Sequence, residues 1–142
     1  MSQDYIRPLR VFLVEDSRAD VCLVEMALQE HTIPFTMRLV TNGEDAIDAV
    51  MRFGKGEEQP DIALLDLNLP RQGGDKVIRS FRNQPGCEQT PIVLMTSADS
   101  ERDRALAEEF RAVFFSKPSD LAEFLELGAL VKSLLTTTLT AN

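Results

Sequence analysis

The chain has 142 residues, enough for one domain with a single buried core, and 44% of them are hydrophobic. Its formal net charge of −8 disfavours binding to nucleic acid or anionic membranes, because affinity for phosphates comes mainly from Lys and Arg. No apolar run is long enough to span a bilayer, and residues 1–8 contain no apolar signal-peptide core. Cys22 and Cys87 lack metal-binding spacing, so we expect a cytoplasmic protein with reduced thiols.

Five short segments rich in apolar and β-branched residues predict the strands of a sheet. Residues 9–14, 61–65 and 91–95 are nearly continuous apolar runs, which are typical of strands buried on both faces of a parallel sheet. Residues 35–40 alternate more and suit a strand near an edge. Residues 112–115 predict a short fifth strand.

Segments with helical spacing of apolar residues alternate with these strands. Ser17 and Asn42 are predicted to cap the first two helices, and the third and fourth are predicted over residues 75–83 and 99–110. Ser119 is predicted to cap the fifth. The apolar stripe of this fifth helix is Leu121, Phe124, Leu125, Gly128, Val131 and Leu135.

Five βα units in series predict an α/β protein with a parallel sheet, right-handed crossovers and helices on both faces. Such a sheet binds its ligand outside the carboxyl ends of its strands, and polar side chains follow four of the five. These side chains are Glu15, Asp16, Asp66, Thr96, Ser97 and Lys117. We therefore expect three carboxylates, two hydroxyls and one ammonium to meet at one edge.

The three carboxylates would repel one another, and each would lose hydration on burial. A divalent cation would relieve this repulsion, and oxygen ligands with little His or Cys nearby favour Mg²⁺ over zinc. A carboxylate can also act as a nucleophile and become an aspartyl phosphate, and Asp66 follows the third of the predicted strands. Mg²⁺, the Lys117 ammonium and the Thr96 hydroxyl could then each take one phosphoryl oxygen.

Structural explanations exist for each of these residues taken singly. Glu15 and Asp16 could be acids favoured at a helix N-terminus, and Asp66 could form an Asx turn. Thr96 and Ser97 could cap the fourth helix, and Lys117 could be a solvated lysine. It is their joint occurrence at successive strand ends that favours the chemical interpretation.

Four motifs in chain order resemble the receiver domain of two-component response regulators over about residues 9–135. They are LVEDS at 13–17, LLDLNLP at 64–70, VLMTS at 93–97 and SKP at 116–118. The resemblance implies a flavodoxin-like five-stranded parallel sheet in the order 2-1-3-4-5, with residues 1–142 forming one domain and flexible tails. It also implies a signalling phosphoacceptor that is not a classical turnover enzyme.

The resemblance assigns metal ligation and phosphoryl acceptance to the acidic residues. Asp66 matches the phosphoacceptor and a metal ligand, and Asp16 matches the direct ligand. Glu15 would act through water, and Asn68 would give its backbone carbonyl to the Mg²⁺ ion. Pro70 and Gly74 match the loop after the third strand.

The remaining matched residues belong to the switch. Thr96 matches the switch hydroxyl, and Lys117 matches the phosphate-binding lysine, whose bond to Pro118 is often cis in the family. Phe114 matches the aromatic that rotates on activation, although a core aromatic is the simpler alternative. The resemblance places the output face on the fourth helix, the fifth strand and the fifth helix, and Ser97 is the remaining candidate for this face.

The chain departs from the family pattern at three places. The usual Asp-Gly after the third strand reads Gly73-Gly74, which would loosen that loop. The segment 109–112 lacks the common glycine before the fifth strand. Phe114 stands where a tyrosine is usual, so it has no hydroxyl for a partner.

The implied partners are a sensor histidine kinase and a downstream protein or a second copy of the chain, with no role for nucleic acid or membrane. EDSRADVCLVEMAL and DLNLP resemble small regulators, some of which pair with phytochrome-type kinases. One alternative is a Mg²⁺-dependent phosphohydrolase, but these enzymes commonly carry a second Asp where Asn68 stands. The others are an interaction module that keeps only the fold, and a flavodoxin-type carrier, which would need a phosphate loop that residues 15–20 do not supply.

Overall fold

A computed structural model describes residues 7–69, 73–98 and 100–140 of the chain, with side chains described as far as residue 135. The predicted loop residue Pro70 and the predicted helix start Asp99 lie outside these ranges. In order, the elements are β1 (Leu9–Val14), α1 (Arg18–Glu30), β2 (Phe35–Val40), α2 (Gly43–Arg52), β3 (Ile62–Asp66), α3 (Gly74–Asn83), β4 (Ile92–Thr96), α4 (Glu101–Glu109), β5 (Val113–Ser116), α5 (Leu121–Phe124) and α6 (Leu127–Thr140).

The five strands form one parallel sheet in the order β2-β1-β3-β4-β5, which confirms the predicted fold. Strands β3 and β4 are buried along their whole length, as their continuous apolar sequences predicted. The edge strand β2 is largely accessible, in agreement with its alternating sequence. Strands β3, β4 and β5 each lie one residue later than predicted, so Asp66 and Thr96 are the last residues of their strands.

Two apolar cores cover the two faces of this sheet. One core packs α2, α3 and α4 against Phe12, Leu65 and Leu94 and their neighbours. Its centre is an aromatic cluster in which the ring of Phe12 lies 5.3 Å from that of Phe53 and 5.7 Å from that of Phe81. The other core packs α1, α5 and α6 against the opposite face of the sheet. The helices therefore lie on both faces, as predicted.

The predicted caps of α1 and α2 are confirmed. The Ser17 hydroxyl accepts the backbone N–H of Asp20, and the Asn42 side chain accepts that of Asp45. Helix α4 lies within the predicted range 99–110, and its N-cap is Ser100, whose hydroxyl accepts the N–H of Asp103. Neither Thr96 nor Ser97 caps this helix.

The predicted fifth helix is divided in the structure. It is capped by Asp120 and not by Ser119, and it is interrupted after Phe124, so that α5 and α6 are separate helices. Leu121, predicted to face inward, is 48% exposed because it is the first residue of the short helix α5. Helix α6 continues to Thr140, beyond the core boundary predicted near residue 135.

Helix α6 packs against the C-terminal half of α1 at Gly128. A side-chain carbon at this position would come closer than 3.0 Å to the carbonyl oxygen of Ala27 and to the ring of His31. The His31 Nε2 atom also lies 3.1 Å from the carbonyl oxygen of Leu125, at the junction of α5 and α6. Gly128 therefore sets how closely the C-terminal helix approaches α1.

The turn between α4 and β5 lacks glycine but still uses a left-handed backbone conformation. Arg111 adopts a φ of 57°, a region that glycine enters without strain and other residues rarely occupy. The guanidinium of Arg82 on α3 donates to the carbonyl oxygens of Phe110 and Arg111, at 2.8 and 3.3 Å. The same group donates to three carbonyls just before β4, those of Cys87, Glu88 and Thr90. These bonds join α3 to both turns.

Asp61 is held at the edge of the sheet where the strands begin. Its carboxylate accepts two hydrogen bonds from the Arg7 guanidinium, at 2.7 and 2.8 Å, and one from the backbone N–H of Arg10 at 2.8 Å. Burial acts to raise the pKa of Asp61, but these hydrogen bonds outweigh burial and hold the pKa below its ordinary value.

This depressed pKa predicts a dependence of stability on pH. Stabilisation by Asp61 is fully present above the aspartate pKa of the unfolded chain and is lost as the pH falls through the folded value. We expect Asp61→Asn to be less stable than wild type at neutral pH, with the difference shrinking below about pH 4. Urea unfolding of both proteins across this range measures it, and a difference independent of pH would contradict the assignment.

Within the described parts of the chain, no helix combines the length and apolar character that crossing a bilayer requires.

Candidate functional site

The carboxyl ends of the strands bring the predicted polar residues to one edge of the sheet. Glu15 and Asp16 directly follow β1, Asp66 and Thr96 end β3 and β4, and Lys117 directly follows β5. The parallel register places these ends side by side, with Val14 opposite Leu65, Asp66 opposite Met95 and Thr96 opposite Ser116. The chain separates these residues widely, but the topology joins them.

Glu15, Asp16 and Asp66 form a cluster of carboxylates. One oxygen from each lies within 4.8 Å of the others, a spacing that could hold a metal ion. The residues Glu15 and Asp66 are buried and Asp16 is exposed, so the cluster opens to solvent on one side. An all-oxygen donor set of this kind fits a hard divalent cation.

Lys117 lies against this cluster and is nearly buried. Its Nζ atom lies 2.7 Å from Glu15 Oε1, 2.8 Å from Asp20 Oδ2 and 3.6 Å from Asp66 Oδ2. Its backbone N–H donates to the carbonyl oxygen of Thr96 at 2.7 Å, which fixes the start of the loop after β5. The structure therefore places the predicted ammonium beside the predicted carboxylates.

Asp20 is a site residue that sequence reasoning missed. It lies in the first turn of α1, where an acid is expected from the helix dipole alone. The structure shows that its carboxylate reaches across to Lys117. The signal available in the sequence was its place in the first turn of a helix that begins just beyond the acidic strand end.

The pKa values of Glu15 and Lys117 are both raised, but for different reasons. Burial, together with the neighbouring Asp66 carboxylate, raises the pKa of Glu15 to about 7, although Lys117 opposes this shift. Burial acts to lower the pKa of Lys117, but hydrogen bonds to Asp20 and Glu15 outweigh it, and the net pKa is raised. Lys117 is therefore a cation in a site with excess negative charge.

Asn68 and Thr96 lie beside Asp66 and are the remaining predicted residues of the site. The backbone N–H of Asn68 donates to Asp66 Oδ1 at 3.0 Å, and its side-chain amide lies 3.4 Å from the Thr96 hydroxyl oxygen. Thr96 is fully buried, and its hydroxyl donates to the carbonyl of Ala98 at 3.0 Å. The Thr96 hydroxyl is thus committed to the start of the loop that leads to α4.

Residues 11–128 match the family model described as the response regulator receiver domain. The chain belongs to this family. As a response regulator receiver domain, it is a component of two-component signalling.

Similar proteins support this membership across most of the receiver domain. Response regulator Rcp1 from Synechocystis sp. is 29% identical over 130 residues, which cover 89% of this chain and 88% of Rcp1. The phosphorylated cyanobacterial phytochrome response regulator RcpA has a TM-score of 0.81 at 26% identity, over 93% of this chain and 96% of RcpA. The Mn²⁺-bound form of Rcp1 has a TM-score of 0.78 at 28% identity, over 89% and 93%.

The residues predicted for the output face of the receiver domain lie outside the acidic cluster. Ser97 is exposed directly after β4. Phe114 is half-buried on β5, and the Arg104 guanidinium lies 4.6 Å from the centre of its ring. The Lys117–Pro118 bond is trans, unlike the cis form that is frequent in the family, since no described peptide bond is cis.

The sequence predicted that Gly73-Gly74 loosens the loop after β3, but Gly74 has a packing role in the structure. A side-chain carbon here would come within 3.2 Å of the Leu67 Cα atom, so the glycine allows α3 to begin against the end of β3. Residues 70–72 of this loop lie outside the described residues.

Proposed function

We propose that this receiver domain accepts a phosphoryl group on Asp66 from a phosphohistidine of a sensor histidine kinase, in a reaction that depends on Mg²⁺. The observation that carries the proposal is the placement of Lys117 Nζ among three carboxylates, 3.6 Å from Asp66 Oδ2. A buried ammonium beside a carboxylate at the open edge of a sheet is suited to receive a dianionic group. The modification would bias a protein-binding surface between two states.

The proposed transfer is a displacement at phosphorus. A carboxylate oxygen of Asp66 attacks, a new oxygen–phosphorus bond forms, and the phosphorus–nitrogen bond to the donor histidine breaks. The electron pair of that bond stays on the imidazole nitrogen, which takes up a proton. Lys117 would contact one phosphoryl oxygen and Thr96 a second, so that the chain neutralises and orients the group.

Mg²⁺ would be held by Glu15, Asp16, Asp66 and the backbone carbonyl of Asn68. When bound, it supplies the positive charge that makes a further anionic group tolerable beside three carboxylates. The oxygen-only donor set and the raised pKa of Glu15 support this assignment. The similar protein Rcp1 has been solved in an Mn²⁺-bound form, which supports a divalent cation as the bound group.

The proposed switch begins at Thr96. To donate to a phosphoryl oxygen, its hydroxyl must give up the bond to the Ala98 carbonyl. That exchange would move the loop before α4, and Phe114 would rotate into the space released. The surface of α4, β5, α5 and α6, to which Ser97 and Phe114 are assigned, would then carry the signal.

The proposed partners are a donor kinase and a downstream protein, both in the cytoplasm. The similar protein RcpA is a cyanobacterial phytochrome response regulator, which supports a phytochrome-type kinase as the donor. Output would run through a protein partner, a homodimer or onward phosphoryl transfer. The net charge of −8 argues against nucleic acid and anionic membranes as partners.

Intact-protein mass spectrometry after incubation with acetyl phosphate tests the proposal. We expect addition of one phosphoryl group in Mg²⁺ and none after chelation, with sizing chromatography in parallel to detect dimerisation. Steady turnover of a generic phosphate ester would favour a phosphohydrolase instead. Absence of labelling, together with failure to bind beryllium trifluoride in Mg²⁺, would favour a module that keeps only the fold.

Lys117→Ala is expected to preserve folding in Mg²⁺ and to impair the response to phosphorylation. The ammonium that would contact the phosphoryl oxygen is lost, so the chemical event is no longer transmitted to the end of β5. Amide chemical shifts at Thr96 and Phe114, recorded with and without beryllium trifluoride, measure the response. Lys76→Ala, which removes an exposed lysine on α3, is the control. Normal shift changes in Lys117→Ala would remove this lysine from the mechanism.

A further inference from the structure

We propose that Asp20 is a positioning residue that holds the Lys117 ammonium in place for the group arriving on Asp66. The inference rests on the proposed function of Asp66 and adds a residue from α1 to it. Asp20 would not contact the phosphoryl group itself, because its carboxylate is directed to Lys117. It acts through the lysine.

The contact between Asp20 and Lys117 is short and largely shielded. The Nζ to Oδ2 distance is 2.8 Å, and the side chains are 9% exposed for Lys117 and 26% for Asp20. Ion pairs with this geometry and limited solvent screening are stronger than pairs on an open surface. The pair also bridges two distant parts of the chain, the start of α1 and the end of β5.

The local structure of α1 explains why the Asp20 carboxylate is available for this contact. In a capping box, the acid at the third helical position accepts the N–H of the N-cap residue. Here the Ser17 N–H donates to Glu15 Oε2 at 3.1 Å, and the Ser17 hydroxyl accepts the Asp20 N–H at 3.3 Å. Half of the box is therefore made by Glu15, and the Asp20 carboxylate turns to Lys117.

The hydrogen-bond donors of the Lys117 ammonium are divided between its anchors and the side facing Asp66. Lys117 has three N–H donors, of which Glu15 and Asp20 each engage one at hydrogen-bond distance. The third remains for the direction of Asp66 Oδ2, which lies 3.6 Å away and beyond hydrogen-bond distance. Glu15 belongs to the proposed metal set, but Asp20 does not. Asp20 is thus the anchor that cation binding leaves in place.

An anchored lysine loses less conformational freedom when a ligand arrives. A lysine side chain has a large rotamer entropy, and ordering it beforehand strengthens binding of the group it contacts. Removing the anchor should therefore weaken binding of a phosphoryl analogue while leaving cation binding nearly unchanged. If Asp20 only stabilised α1, its removal would not weaken binding of the phosphoryl analogue more than binding of the cation.

Titration calorimetry on the full chain tests this with beryllium trifluoride in saturating Mg²⁺, and with Mg²⁺ alone. We expect Asp20→Asn to lower the affinity for beryllium trifluoride on the order of tenfold, since one ordered side chain accounts for about that factor. The affinity for Mg²⁺ alone should change much less. Asp20→Glu should recover part of the loss, because it keeps the carboxylate. Glu25→Gln, which removes the same charge further along α1, should bind like wild type.

A second measurement examines the lysine without any ligand. Nitrogen-15 labelling of the side chains of the four lysines in the sequence should show a slowly exchanging Lys117 ammonium in wild type, and Asp20→Asn should lose that signal. An unchanged ammonium signal would overturn the proposal, as would unchanged or tighter binding of beryllium trifluoride by Asp20→Asn. An equal loss in Glu25→Gln would overturn it too, by showing a general charge effect. If wild type itself fails to bind the analogue, the proposed function of Asp66 fails first.

Discussion

Replacement of Asp66 by asparagine is expected to abolish labelling of the protein by acetyl phosphate in Mg²⁺. The amide has no anionic oxygen to attack phosphorus, and the carboxylate cluster with Glu15 and Asp16 loses one of its three charges. The amide oxygen can still accept the N–H of Asn68, which in wild type donates to Asp66 Oδ1. The fold should therefore survive while the modification disappears, and intact mass together with circular dichroism measures both.

Asp75→Asn provides the matched control for this experiment. Asp75 is an exposed aspartate in the first turn of α3, and its replacement removes the same charge outside the cluster. This variant should label like wild type. Stoichiometric labelling of Asp66→Asn would instead show that the phosphoacceptor is misassigned.

Gly128→Ala is expected to destabilise the fold strongly, although alanine is the better helix former. Helix propensity alone would stabilise α6 by about 1 kcal/mol. The new methyl group, however, would overlap the Ala27 carbonyl oxygen, which belongs to the backbone of α1 and cannot rotate away as the His31 ring can. Overpacking of this kind costs about 3 kcal/mol, so the net loss is about 2 kcal/mol, which would lower the melting temperature by about 7 °C in a domain of this size.

Thermal and urea unfolding of Gly128→Ala, with Ser133→Ala as the control, measure this balance. Ser133 is an exposed residue on the same helix whose hydroxyl donates to the Leu130 carbonyl, so its replacement by alanine removes one exposed hydroxyl and adds no atom to α6. We expect its stability to stay close to that of wild type. A Gly128→Ala protein more stable than wild type would show that α6 can shift away from α1 at little cost.

The sheet could be predicted from the sequence because its signal is local. Apolar runs at β1, β3 and β4 mark strands buried on both faces, and the polar side chains at the end of each run mark the carboxyl edge. The break between α5 and α6 could not be seen in this way. Phe124, Leu127 and Val131 are all buried on both sides of the break, so the helical spacing continues through it. Ser119 and Asp120 are both good caps, and only the path of the chain from β5 selects between them.

The site residues that could be predicted are those that lie at or directly after the end of a strand. Glu15, Asp66 and Lys117 follow directly from topology, and the structure brings them together. Asp20 was not predictable, because its partner lies 97 residues away and its position in a first helical turn already has a sufficient local explanation. A contact between the start of a helix and a distant loop produces no repeating pattern of residues from which it could be predicted.

The Arg82 guanidinium restricts the ways in which α4 can rearrange. It fastens the carbonyls of Phe110 and Arg111, at the C-terminal end of α4, to α3. The opposite end of the helix is capped by Ser100, which lies two residues after Ala98, whose carbonyl accepts the Thr96 hydroxyl. The C-terminal end is therefore fixed to α3, whereas the N-terminal end follows Ala98, which exchanges two hydrogen bonds with the Thr96 hydroxyl. A change at Thr96 would thus move the start of α4 more than its end, and α4 would pivot about its C-terminus.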